Sequence, residues 1–86
     1  MTVVYQANGL SGARLGISIA KKSVHDANRR NRIKRHIREY FRRHRHELPG
    51  CDLVFIAAAG AGSATRSQLT SAIEALWKQV LIRCAS

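Results

Sequence analysis

The stretch Ala27-Asn28-Arg29-Arg30-Asn31-Arg32-Ile33-Lys34-Arg35-His36-Ile37-Arg38-Glu39-Tyr40-Phe41-Arg42-Arg43 constrains this chain more than any other. Advancing 100° per residue puts Ile33, Ile37, Tyr40 and Phe41 on one stripe. Asn31, Lys34, Arg35, Arg38, Arg42 and Arg45 gather on the opposite side. Arg32 and Arg43 lie on one flank and Arg30 on the other. The pattern is that of an amphipathic helix, apolar toward a core and cationic toward a partner. Such a helix needs an apolar surface to lie on, and the rest of the chain must supply it.

The chain has 86 residues, the size of one small domain with one modest core. Its net charge is +10, and residues 21–46 hold most of it: eleven Lys/Arg against Asp26 and Glu39, a net +9. All four histidines, His25, His36, His44 and His46, fall in the same segment. A charge so concentrated is the footprint of a polyanion site. Cys51 and Cys84 form no CxxC pair and have no metal-ligand spacing, so they read as reduced thiols. The N-terminus has no charged region leading into a long apolar run, and the longest apolar run, Leu53 to Gly62, is too short for a bilayer. A soluble, cytoplasmic protein without membrane contact is expected.

Along the chain, Thr2-Val3-Val4-Tyr5-Gln6 reads as a strand. Loop chemistry follows at Asn8, Gly9, Ser11 and Gly12. Arg14 to Ala20 alternates, with Leu15, Ile17 and Ile19 on one face, and the two strands are expected to pair as a hairpin. Ser23 and Asp26 are both suitable N-caps for the basic helix. It should run to about His46 and stop at Leu48-Pro49-Gly50. Asp52 to Ala58 is nearly all apolar, which suits a strand buried on both faces. After a Gly60–Ala64 loop, Thr65 and Gln68 fit a capping box. Leu69, Ile73, Leu76, Trp77 and Val80 then recur at helical spacing, with Trp77 as a core anchor. The expected fold is α+β: residues 1–86 as a single two-layer domain, β-β-α-β-α, with both helices packed on a thin mixed sheet.

The residues offer little catalysis of their own. The five carboxylates, at 26, 39, 47, 52 and 74, have no spacing that builds a two-metal site. His25, His36 and His44 are the only candidates for a histidine nuclease, and they read as surface groups on a basic helix. His44-Arg45-His46 is no metal site, because residues two apart on a helix diverge. The helix reads instead as a nucleic-acid ligand. Arginine forks match phosphate geometry and stack on bases. The like charges at Lys34/Arg38 and Arg38/Arg42 repel each other until a partner neutralises them. A lone helix reading DNA prefers a dimer or a second arm, and neither is evident. Folded RNA, with dense phosphate clusters, is the better match. A binding module of ribosomal-protein type fits the same composition.

The run Ser18-Ile19-Ala20-Lys21-Lys22, followed by Ala27-x-x-Arg30-Asn31-Arg32-Ile33-Lys34-Arg35-x-x-Arg38-Glu39-x-Phe41-Arg42, resembles the protein subunit of bacterial ribonuclease P, whose signature is an Arg-Asn-Arg helix preceded by a Lys-Lys pair. The likeness extends from about Tyr5 to Val80. It implies an RNA-binding subunit of an endonuclease. In that family the RNA subunit is the catalyst, using magnesium to cut the 5′ leader from precursor tRNA. No cofactor is expected to bind the protein tightly, and no DNA. By position, Arg30, Asn31, Arg32, Lys34, Arg35 and Arg38 would face the catalytic RNA, with Lys21 and Lys22 beside them. Arg42 and Arg45 extend the same cationic side, and Tyr5 is a candidate to line the leader path. The family usually starts with a Phe-bearing helix and a further strand, and this sequence reads as starting after them. Its usual Arg-Pro after the last strand is Ala58-Ala59 here. The family is also known for a left-handed strand–helix–strand crossover, against the general right-handed rule.

Overall fold

The computed structural model describes residues 1–84, with Ala59 described by its backbone alone. The elements are β1 (Thr2–Ala7), β2 (Arg14–Ile19), α1 (Ala27–His44), a 3₁₀ turn (Arg45–Glu47), β3 (Cys51–Ala57), a second 3₁₀ turn (Ala59–Ser63) and α2 (Arg66–Cys84). The architecture is the expected α+β one, a mixed three-stranded sheet with two helices. The pairing differs from the expected hairpin. Strand order is β1-β3-β2, so β1 and β2 never touch in the ladder. β1 runs antiparallel to β3, with Val3 opposite Phe55 and Tyr5 opposite Leu53. β2 runs parallel to β3, with Leu15 beside Leu53 and Ile17 beside Phe55.

The reason lies in β3. Its sequence is the most apolar of the three strands, and a central position satisfies its backbone on both edges. The β1–β2 connection is also no tight turn. Asn8 donates its backbone N–H to Gly50 O at 3.2 Å, and its Nδ2 reaches Asp52 Oδ1 at 2.9 Å. The loop therefore arches over the entry to β3. A Cβ on Gly50 would stand 1.8 Å from the Leu10 carbonyl oxygen, so only glycine admits that approach.

β3 is buried on one face only, contrary to the expectation of two. Cys51, Leu53, Phe55 and Ala57 are buried, while Val54 and Ile56 remain 37% and 38% exposed on the other side. Both helices cover the same face. Ile33 and Ile37 of α1, and Leu69, Ile73, Trp77 and Val80 of α2, join Leu53 and Phe55 in one cluster. Asp26 caps α1, accepting from the Asn28 N–H at 2.8 Å. Thr65 and Gln68 form the reciprocal capping box, at 2.9 and 3.1 Å. Cys51 and Cys84, unrelated in sequence, come together beside the core. Burial first, and then Cys84, push the Cys51 thiol up to about 11. No helix among the described residues is long and apolar enough to cross a membrane.

On the uncovered face, Arg14 holds Asp52 through two contacts of 2.7 and 2.8 Å. The hydrogen bonds from Arg14 and then Asn8 hold that carboxyl at about 2, below its ordinary 3.8. A lowered folded-state value means the contribution is complete above the ordinary value and fades as pH falls toward 2. Thermal melts in mild acid should therefore lose stability over that interval, and Asp52→Asn should flatten this part of the loss. Parallel melting curves for the two proteins would remove the Arg14–Asp52 link from the account.

Candidate nucleic-acid interface

α1 is positioned by its stripe. Ile33 and Ile37 are 2% and 1% exposed, and Tyr40 and Phe41 pack edge-on against Trp77 at 5.5 and 6.1 Å. Anchoring these residues turns the opposite side of the helix to solvent. Asn31, Arg35, Arg38 and Arg42 are exposed there, and Lys34 is half-buried at the margin. Arg45, just past the helix, is exposed, and its guanidinium folds back over the Phe41 ring at 5.7 Å. Lys21 and Lys22 are exposed in the turn after β2.

The acids do little to cancel this charge. Glu39 takes Arg42 at 3.2 Å and Arg43 at 4.0 Å. Asp26 lies 3.9 Å from Arg29. These are exposed contacts of small net value. Arg35 and Arg38 have no acidic partner among the described residues.

Two arginines of the Arg-Asn-Arg signature also brace the fold. Arg30 donates from Nη1 to Val24 O at 2.7 Å and His25 O at 2.9 Å. It thereby fixes the turn that carries Lys21 and Lys22 against the start of α1. Arg32 donates from Nη2 to Ala64 O at 2.7 Å and holds the approach to α2. Asn31 between them is left exposed. Tyr5 sits on the helix-covered side of β1, partly buried against the core, and its hydroxyl accepts from Arg83 Nη1 at 3.4 Å. It therefore does not line the uncovered face of the sheet.

Two of the four histidines, His36 and His44, serve structure. His36 Nε2 is 2.7 Å from Thr70 Oγ1. That hydroxyl gives its one proton to Arg66 O at 3.0 Å, so neutral His36 carries its proton on Nε2 and donates to Thr70. Partial burial lowers the His36 pKa, and Arg66 and Arg32 lower it further. His44 stacks on Tyr40 at 4.1 Å and lies 3.4 Å from Glu47. Among the described residues no three His, Cys, Asp or Glu side chains come close enough together to hold a metal ion.

One set of residues was not found from the sequence. Arg43, Arg66 and Thr70 meet Arg35 and His36 in a cleft between the helices. Arg66 lies far from the basic run, and only the packing of α2 on α1 brings it there.

The family model described as ribonuclease P matches residues 1–81. The ribonuclease P protein component of Erwinia tasmaniensis is 44% identical over 79 residues, covering 92% of this chain and 66% of that protein. That of Proteus mirabilis is 43% identical over the same shares. The chain thus spans about two thirds of the length of these relatives. Among solved structures, the Staphylococcus aureus RNase P protein superposes with a TM-score of 0.81 at 36% identity, covering 88% of this chain and 70% of that one. The Thermotoga maritima RNase P protein, in complex with 1-(4-fluorophenyl)-2-thiourea, gives 0.75 at 34%, covering 92% and 75%. With a match that runs through both helices and all three strands, the chain belongs to the ribonuclease P protein family.

Proposed function

We propose that the chain is the RNA-binding subunit of ribonuclease P and assists a catalytic RNA in removing the 5′ leader of precursor tRNA by phosphodiester hydrolysis. The observation that carries this reading is the exposed side of α1, where Arg35 and Arg38 stand without acidic partners beside Asn31 and Lys34. A helix fixed by its buried stripe presents these donors on one side, so less ordering cost falls on binding. Two RNAs must come together in this reaction, and their phosphates repel. A cationic helix between or beside them lowers that repulsion and leaves more magnesium free for the RNA's own chemistry. The magnesium belongs to the RNA in this reading, and the complex works in the cytoplasm. Arg30 acts by holding the Lys21–Lys22 turn, and Arg32 by holding the approach to α2.

The test is cleavage of precursor tRNA by the cognate RNA at low magnesium, with and without the protein. The expected result is that the protein restores cleavage. If it did not, and ribosomal RNA co-purified with it from cells, the assignment to tRNA processing would be withdrawn. Five or six phosphate contacts should give a slope of log affinity against log salt of about −4 to −5.

A further inference from the structure

The cleft between α1 and α2 has a volume of about 470 Å³. That lies within the range of sites for small ligands, roughly 300–1,000 Å³. α1 contributes Arg35, His36, Tyr40 and Arg43 to its lining, and α2 contributes Arg66 and Thr70. Glu39, Glu74 and His44 complete the lining.

The charges in it are sorted. Glu39 is already engaged by Arg42 and Arg43. The charge of Glu74 acts on Tyr40, toward the other end. The end at His36 holds Arg35 and Arg66, which lack acidic partners among the described residues. Arg32 lies close enough to act on His36 as well. Arg66 is also the first residue of α2, whose N-terminal dipole adds to the same positive field. Cations left facing one another across a cleft repel, and an anion between them removes that cost. Two guanidinium forks on opposite walls match the oxygens of one phosphate.

We propose that this cleft takes a phosphodiester group of an RNA strand, held by Arg35 from α1 and Arg66 from α2. RNA lying on the exposed side of α1 then continues over the edge of that helix onto α2. The inference rests on the RNA-binding reading and adds a contact outside the basic run.

The test uses the full chain and the cognate catalytic RNA, with affinity measured across a salt series. Arg66→Gln should weaken binding roughly tenfold, the loss expected for one charged hydrogen-bonding contact. It should also reduce the salt slope by about 0.7–0.9. Lys78→Gln removes the same charge from an exposed position of α2 outside the cleft and should leave both unchanged. Arg66→Lys should keep the slope and lose part of the affinity, because the fork is lost and the charge is not. Equal falls in Arg66→Gln and Lys78→Gln would overturn the proposal, since charge alone would then explain them. So would an unchanged Arg66→Gln beside a weakened Arg38→Gln, which would leave the α1 interface standing. If Arg38→Gln also bound normally, the RNA-binding reading beneath the proposal would fall with it.

Discussion

Replacing Arg35, Arg38 and Arg42 together by glutamine should weaken binding of the catalytic RNA by about a thousandfold, taking roughly tenfold for each lost charged contact. The salt slope should become shallower by about 2–3. The three side chains are exposed, and none is part of the core. Arg42 has only its surface contact with Glu39 to lose. Relieving the Arg38/Arg42 repulsion returns about 0.2–0.5 kcal/mol to the helix. The thermal midpoint should therefore hold or rise while RNA affinity collapses. That opposition of signs separates an interface from a structural element. A variant that lost affinity and melting temperature together would show that these arginines support the fold. Raising the salt should narrow the gap between variant and parent, because the parent has more counterion release to lose. Precursor-tRNA cleavage at low magnesium should fail in the variant and recover partly as magnesium is raised.

Much of this candidate interface was legible in the sequence because a helix declares itself by period. Ile33 and Ile37 mark the buried stripe, and once they are placed every arginine of α1 has a direction. Asp26, Thr65 and Gln68 were readable for a similar reason, since caps are local chemistry. The sheet was less open to reading. β1 and β2 are neighbours in sequence, which favours a hairpin, but the pairing was decided by β3, which competes for both edges. Val54 and Ile56 concealed the one-sided burial of β3, because apolar residues on an uncovered face look the same in sequence as residues of a second core. Arg30 and Arg32 show a different limit. The sequence marks them as cations, but which carbonyls they hold depends on how the Val24–His25 turn and Ala64 are placed by the fold. Arg66 and the Cys51–Cys84 neighbourhood were hidden for the same reason.

Trp77→Ala should cost about 3–5 kcal/mol, the range for removing a large aromatic side chain from a core. Trp77 is 2% exposed and joins the two helices, with Tyr40, Phe41 and His44 of α1 set edge-on around its indole. Its N–H donates to Glu47 Oε1 at 3.0 Å. Native domains are stable by about 5–15 kcal/mol, so this one substitution should remove a large share of the total. Trp77→Phe keeps part of the ring contact and loses the hydrogen bond, so it should cost less, about 1–2 kcal/mol. Urea titration would measure both, with the midpoint falling and the slope unchanged. RNA affinity gives the second half of the test. If α2 matters to binding by holding α1 in place, Trp77→Ala should bind weakly only to the extent that it is unfolded, and excess RNA should restore its melting temperature by mass action. A variant that stayed folded at low temperature and still bound poorly would mean that the α1–α2 arrangement itself, cleft included, is part of what the RNA recognises.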